Sequence, residues 1–184
     1  MREVKEVLGA NIDDDDILVI RQEYRDLYGV LETVAKTDAR VGGFAVTGHP
    51  GIGSYECWFQ SKVVLIPIPC LGKTTFLYYV LLHRLELKLP TAIQLSKHKY
   101  FIFDEHGAVV RPINTEDLRL KTCWALADSN ILVTHPCGDF LSMAPFIVQT
   151  TSLKEERWKE WVKQKYGRWI VMDPPSVSEI AAIL

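Results

Sequence analysis

Phe44-Ala45-Val46-Thr47-Gly48-His49-Pro50-Gly51-Ile52-Gly53 and, further on, Gly72-Lys73-Thr74-Thr75 are the two stretches on which the reading of the fold turns. The first is a short apolar run without helical period that ends in a glycine-rich loop, which predicts a strand feeding a loop. The second opens Phe76-Leu77-Tyr78-Tyr79-Val80-Leu81-Leu82, apolar almost all round, which predicts a helix buried on most sides. Together they carry the two halves of G-x-x-x-x-G-K-[ST]. In that motif consecutive N–H groups form a nest for a β-phosphate. The lysine neutralises β- and γ-phosphate oxygens, and the hydroxyl ligates Mg²⁺. On this reading Gly48, His49, Pro50, Gly51, Ile52 and Gly53 cradle phosphate and Gly72, Lys73, Thr74 and Thr75 complete the site.

The halves are separated. Removing Ser54 to Gly72 leaves Gly53 against Lys73 and restores GHPGIGKTTFLYYVLL; removing Gly53 to Leu71 gives the same product, because a glycine stands at both edges. Two origins fit. A retained in-frame intron needs a GGT codon at Gly53 for its donor, and a Leu71 codon ending in TA before the first G of Gly72 for its acceptor. A genuine insertion predicts an extra hairpin or flap built from Trp58-Phe59 and Val63 to Ile68. Lengthening a surface loop costs only about 0.6 kcal/mol per doubling, so the sheet is expected to persist. The nest is more fragile, since its N–H groups must lead directly into a helix N-terminus. Splitting it is expected to displace Lys73 and Thr74 from Gly48–Gly53 and to lower nucleotide affinity.

Such a site also needs a carboxylate at the end of another strand to hold Mg²⁺. Cys123-Trp124-Ala125-Leu126-Ala127-Asp128 supplies one candidate, and the next strand, Phe146-Ile147-Val148-Gln149, ends in Thr150-Thr151-Ser152, where Thr151 or Ser152 suits a γ-phosphate sensor. Tyr100-Phe101-Ile102-Phe103-Asp104-Glu105 is the rival, but Asp104 to Gly107 also reads as a tight hairpin turn with Ala108-Val109-Val110 returning. Asp128 is the better candidate. Ser129 follows it, so no general base identifies itself; Glu105 serves only under the rival assignment, and Glu155 and Glu156 read as the acidic first turn of a helix.

Around this centre the chain reads as alternating helices and strands. Ile17 to Ile20 is a short apolar strand or the start of a packed helix, behind the acidic turn Asp13–Asp16. Tyr24, Leu27, Tyr28 and Leu31 recur at helical spacing within Arg21 to Lys36, and Val41-Gly42-Gly43 breaks the helix. Thr91 to Leu95 and Trp169 to Met172 are strands; Thr115 to Leu120 is one helical turn capped by Thr115. Leu153 to Lys165 is an amphipathic helix with Trp158, Trp161 and Val162 on its inner face. Ser176-x-x-Glu179 is a capping box that starts another helix, and the chain ends in an apolar run that reads as truncated. Strands alternating with helices imply a mostly parallel sheet covered on both faces.

The 184 residues are 48% hydrophobic and 24% charged, which fits one globular domain, 1–184, and excludes bulk disorder. A net charge of -2 carries no general attraction to nucleic acid or anionic membrane. The longest uncharged apolar run, Val63 to Leu71, is too short to span a bilayer, and no signal peptide is visible, so an intracellular setting, cytoplasmic or nuclear, is the expectation. Cys57, Cys70, Cys123 and Cys137 form no CxxC pair, which argues against structural zinc, and Cys123 reads as a small core residue. His49 reads as loop shape, His83 as packing or surface, and His135 with Cys137 as part of a loop.

GHPGIG…GKTTFLYYVLLHRL, CWALADSN and FIVQTTSLKEERWKEWVKQKYGRWIVMDPPSVSEIAAIL resemble fungal proteins of the Crinkler and retrotransposon-hot-spot type over roughly residues 17–53 and 72–184; 54–71 matches nothing in that pattern. The resemblance implies a P-loop NTPase domain of the additional-strand class, a three-layer α/β sandwich, here incomplete. It implies binding of ATP with Mg²⁺ and its hydrolysis in intact relatives. Lys73 would then stabilise charge, and Thr74 with Asp128 would hold the metal. In that family the core is often one part of a longer chain, and Crinkler proteins are associated with effector roles. The rival expectation is a non-catalytic remnant or a protein-interaction module that no longer binds nucleotide because its loop is split. A nucleic-acid-binding role has little support, for want of a basic stripe or recognition helix.

Overall fold

The structure, a computed structural model, describes residues 20–48, 54–59, 62–67, 72–130, 133–176 and 179; for 54–59 and 62–67 it describes the backbone. Helix α1 (Gln22–Thr37) leads to strand β1 (Gly43–Gly48). A hairpin of β2 (Ser54–Phe59) and β3 (Lys62–Pro67) follows, then helix α2 (Lys73–Glu86). Strands β4 (Thr91–Gln94), β5 (Lys99–Asp104), β6 (Gly107–Pro112) and β7 (Trp124–Asp128) come next, with a 3₁₀ segment at Leu118–Thr122. Short helix α3 (Gly138–Met143), strand β8 (Phe146–Thr150), a 3₁₀ turn at Glu155–Arg157, helix α4 (Lys159–Gln164) and strand β9 (Arg168–Met172) complete it.

Among the described residues, seven strands form one sheet in the order β6-β5-β4-β7-β8-β1-β9, and β2 and β3 pair only with each other, antiparallel, from Ser54↔Pro67 to Phe59↔Lys62. The pairs β4–β7, β7–β8, β8–β1 and β1–β9 are parallel, and β5 and β6 add an antiparallel margin. The mostly parallel α/β sheet expected from the alternation is therefore present. Strands β1, β4 and β8 are buried along their whole length, as strands covered on both faces must be.

Side-chain alternation divides the core in two. Phe44, Val46, Leu126 and Val148 face Tyr24, Leu31, Phe76, Leu77 and Val80 of α1 and α2. Ala45, Ala125 and Ile147 face Leu120, Phe140, Trp158 and Trp161 on the other side. Small residues on the second face let the tryptophans approach the sheet. Gly43 shows why a glycine must begin β1. Its φ is +144°, and a Cβ there would lie 2.0 Å from the Ile147 carbonyl oxygen.

Two local expectations are corrected. The single amphipathic helix over Leu153–Lys165 is two pieces, broken at Trp158, whose φ is -141°. The physical reason is capture of the carbonyls that would propagate a helix. His135 Nε2 donates to Glu156 O (2.9 Å), and Gln149 Nε2 donates to Arg157 O (3.2 Å). The helical turn expected from Thr115 begins instead at Leu118, capped by Asp117, whose Oδ1 accepts from Arg119 N (3.0 Å). Thr115 is engaged elsewhere, its carbonyl accepting from Tyr100 Oη (3.0 Å). Helix α3 was not foreseen at all. Of Ile17–Ile20, the first three lie outside the described residues, and Ile20 precedes α1 in irregular backbone. The capping box does form: Glu179 N donates to Ser176 Oγ (3.2 Å) and Ser176 N to Glu179 Oε2 (2.7 Å).

Candidate functional site

Parallel strands bring their carboxyl ends to one edge of a sheet, which is where such folds place ligands. Here Asp128 of β7 stands opposite Thr150 of β8, Val46 of β1 opposite the same Thr150, and Gly48 opposite Met172 of β9. Helix α2 begins at this edge. Thr74 Oγ1, in its first turn, donates to Asp128 at 3.2 Å from Oδ2 and 3.4 Å from Oδ1. Residues 54 positions apart are thus in contact at the start of α2 and the end of β7.

The start of α2 is built to leave its amides free of side-chain caps. Gly72 occupies the cap position, and the first turn carries no acidic residue. The first N–H groups of a helix lack intrahelical partners and favour negative charge. Gly72 itself is pinned from behind: its carbonyl accepts from Tyr24 Oη (3.2 Å). Burial pushes the Tyr24 phenol up to about 12, so it remains a donor. Arg21, buried at the start of α1, lies over the Tyr24 ring and donates to Asp173 O just beyond β9. It also pairs with Glu23 and Glu179, which ties α1 and the capping box to the same edge.

Lys73 is half-buried beside Thr74. Burial lowers the pKa of its ammonium, and the Asp128 carboxylate pulls it back up. Tyr78, one turn further along α2, has its phenol pKa raised by burial and then by the same carboxylate. Asp128 is also held from the adjoining strand, where Thr150 Oγ1 donates to Oδ1 at 2.7 Å. Thr151 follows; its N–H donates to Val46 O (2.9 Å), which fixes it against β1. Its hydroxyl is buried with no hydrogen-bond partner among the described residues. Ser152 Oγ accepts from Lys154 N (3.4 Å) and so closes a turn.

Lys73, Thr74 and Asp128 therefore come together, with Thr151 next to β1 on the same edge. Gly48 closes β1 there, and Thr75 is buried in α2. His49, Pro50, Gly51, Ile52 and Gly53 lie outside the described residues. Asp104 lies at the opposite edge, because β5 runs antiparallel to β4 and Phe103 stands opposite Thr91, where β4 begins. Its Oδ1 accepts from His106 N (2.8 Å) and its Oδ2 from Arg119 (3.3 Å), the bonds of a turn residue. Ser129 donates its hydroxyl to Thr134 O (3.1 Å).

Among the described residues, His83, Cys123 and Cys137 are accounted for by packing. His83 stacks on Tyr79 and meets Tyr28 edge-on. Cys123 and Cys137 are buried, and burial pushes both thiols up to about 11, away from the thiolate that nucleophilic or metal-binding roles require. Among the described residues no three His, Cys, Asp or Glu side chains converge as a metal site, and no helix is long and apolar enough to cross a membrane. One carboxylate plus one hydroxyl suits Mg²⁺, which keeps waters and takes phosphate oxygens for its other ligands.

Thr150, Tyr24 and Tyr78 were missed by sequence reasoning. In the sequence Thr150 stands only as the first residue of a polar strand end; its pairing with Asp128 reveals its part. Tyr24 carries the signal of a helical stripe, and Tyr78 lies in a segment apolar almost all round; neither pattern signals a site. Comparison with protein-family models, with curated proteins and with solved structures finds no match to the chain.

Proposed function

We propose that the chain is a P-loop domain of the additional-strand class that binds ATP with Mg²⁺ at the edge defined by Gly48, Lys73, Thr74 and Asp128. The observation that carries this reading is the contact between the Thr74 hydroxyl and the Asp128 carboxylate, at the start of α2 and the end of β7. The strand order supports it, since β8 lies between the loop strand β1 and the carboxylate strand β7, as an additional strand would. The start of α2, which has no side-chain cap, supports it too, as does the Thr151 hydroxyl, which has no hydrogen-bond partner among the described residues and suits a γ-phosphate oxygen. Thr74 and Asp128 would hold Mg²⁺, which when bound neutralises phosphate charge. Lys73 supplies the complementary cation, and a bound phosphate would oppose the lowering of its pKa by burial.

The reading is one of binding first. Turnover needs a group that orients the attacking water, and Ser129 stands where an acid after Asp128 would serve. That observation favours, as a second reading, a module without turnover.

The test is the unfolding midpoint with and without millimolar MgATP. A ligand present at 100 times its Kd adds about 2.7 kcal/mol to the native state. The midpoint is expected to rise with MgATP, to rise less with ATP and EDTA, and not to move in Lys73→Met. An unmoved midpoint in the native sequence contradicts the proposal.

A further inference from the structure

At the end of the sheet away from the α2 start lies an open groove of about 1110 Å³, between the α1–β1 connection, α4 and the beginning of β9. Its walls include Val41, Trp158 and Val162. Its cations are Arg40, Lys159, Lys163 and Arg168, against the single carboxylate of Asp38. Asp38 is shared by two of them, Arg40 at 3.4 Å and Arg168 at 3.3 Å. Lys159 reaches Glu155, outside the groove, and Lys163 makes no ion pair among the described residues. In a chain of net charge -2 this is a local excess of positive charge over an apolar floor.

Two further features adjoin it. Strand β9 is the margin of the sheet and pairs only with β1 among the described residues. Large aromatics stand out at its start: Tyr166 is 77% exposed and Trp169 56%, with the Trp169 ring 5.8 Å from that of Trp158. Exposed edge strands ordinarily carry devices against pairing, and a hydrophobic one invites an added strand. Exposed tryptophan and tyrosine beside arginine is also the composition of interface centres.

We infer that this groove and the adjoining edge of β9 form a docking site for an extended acidic peptide of a partner protein. The peptide's backbone would lie along β9 and an apolar side chain would enter the groove, while its carboxylates meet Lys159, Lys163 and the two arginines. Charge selects an acidic segment, and the open strand edge selects an extended one. The site lies apart from Thr74 and Asp128 and does not depend on nucleotide binding.

A random dodecapeptide library displayed on phage, selected against the whole protein, tests this. Enriched peptides are expected to combine several Asp or Glu with an apolar anchor. One of them, fluorescein-labelled, should bind with an affinity that falls with added salt and by at least about tenfold in the double variant Lys159→Glu, Lys163→Glu. Both lysines are exposed, so the far-UV spectrum should be unchanged. The same peptide methylated on alternate backbone nitrogens should lose binding, and Lys73→Met should bind it normally. Absence of enrichment, or peptides indifferent to the double charge reversal, overturns the proposal. Tighter binding of a labelled oligothymidine that competes with the peptide also overturns it, in favour of nucleic acid.

Discussion

Thr150 Oγ1 donates a 2.7 Å hydrogen bond to Asp128 Oδ1 across neighbouring parallel strands, while Thr74 approaches the same carboxylate from α2. The carboxylate is thus oriented from within the sheet before any ligand arrives. Pre-orientation of a metal-binding group by a second residue is worth about tenfold or more in affinity at known metal sites. Thr150→Val keeps the buried shape and removes the donor. It is expected to cost about 1–2 kcal/mol in urea denaturation and to weaken MgATP binding by about tenfold. Thr150→Ser should restore both. Equal MgATP affinity in the valine variant would show that Asp128 does not depend on Thr150.

Lys73 makes stability and function oppose each other. Burial lowers the pKa of its ammonium below the ordinary 10.5. Between that lowered value and 10.5 the unfolded chain holds a proton that the folded chain has released. Stability contributed by this group therefore rises with pH across that alkaline window, and below it the buried ammonium is a constant penalty. Lys73→Met should raise the unfolding midpoint at neutral pH, abolish the alkaline gain and eliminate stabilisation by MgATP. A lower midpoint at neutral pH would contradict the account.

The end of α2 offers a change that touches no site. Leu89 N donates to Arg84 O (2.9 Å) and Lys88 N to Leu85 O (3.0 Å), the two bonds of a Schellman ending. The left-handed position is filled by Lys88, at φ 54°, where glycine is ordinarily favoured. Lys88→Gly should stabilise by about 1 kcal/mol, a rise of about 2–4 °C in Tm for a chain of this size. Calorimetry that shows a fall would mean that the lysine side chain contributes contacts beyond its backbone.

Asp117 predicts the acid limb. Burial pushes its pKa up, but hydrogen bonds from Arg111 and Arg119 outweigh that and bring it from 3.8 down to about 2. Its stabilising contribution is complete above 3.8 and is lost as pH falls through about 2. Asp117→Asn should be less stable at neutral pH and should show a smaller further loss on acidification. An acid titration of stability parallel to that of the parent chain would assign the limb to other groups.

Much of the architecture was legible because strong local signals agreed with the tertiary solution. Phe44–Thr47, Cys123–Ala127 and Phe146–Gln149 are apolar without helical period, and they became β1, β7 and β8, the covered centre of the sheet. Lys73–Leu87 is apolar all round, and α2 is buried on most sides. What was illegible depended on partners distant in the chain. The break at Trp158 is enforced by His135 and Gln149, which take carbonyls that a continuous helix would use. Buried Gln149 also accepts from Trp161 Nε1 (2.6 Å), a bond no periodicity announces. Asp128 was the favoured carboxylate in the sequence, but its bond from Thr150 follows from strand order, which a linear pattern does not encode.

The most direct measurement is a titration of fluorescent ATP with Mg²⁺ against three folded proteins: the chain itself, its Lys73→Met variant, and the chain lacking Ser54–Gly72, in which Gly53 abuts Lys73. Saturable binding with a micromolar Kd, about -8 kcal/mol, is expected when the loop is continuous. Binding should be weaker in the interrupted chain and absent in Lys73→Met. No saturable binding by the folded chain with the continuous loop, or binding indifferent to Lys73→Met, would contradict the central claim.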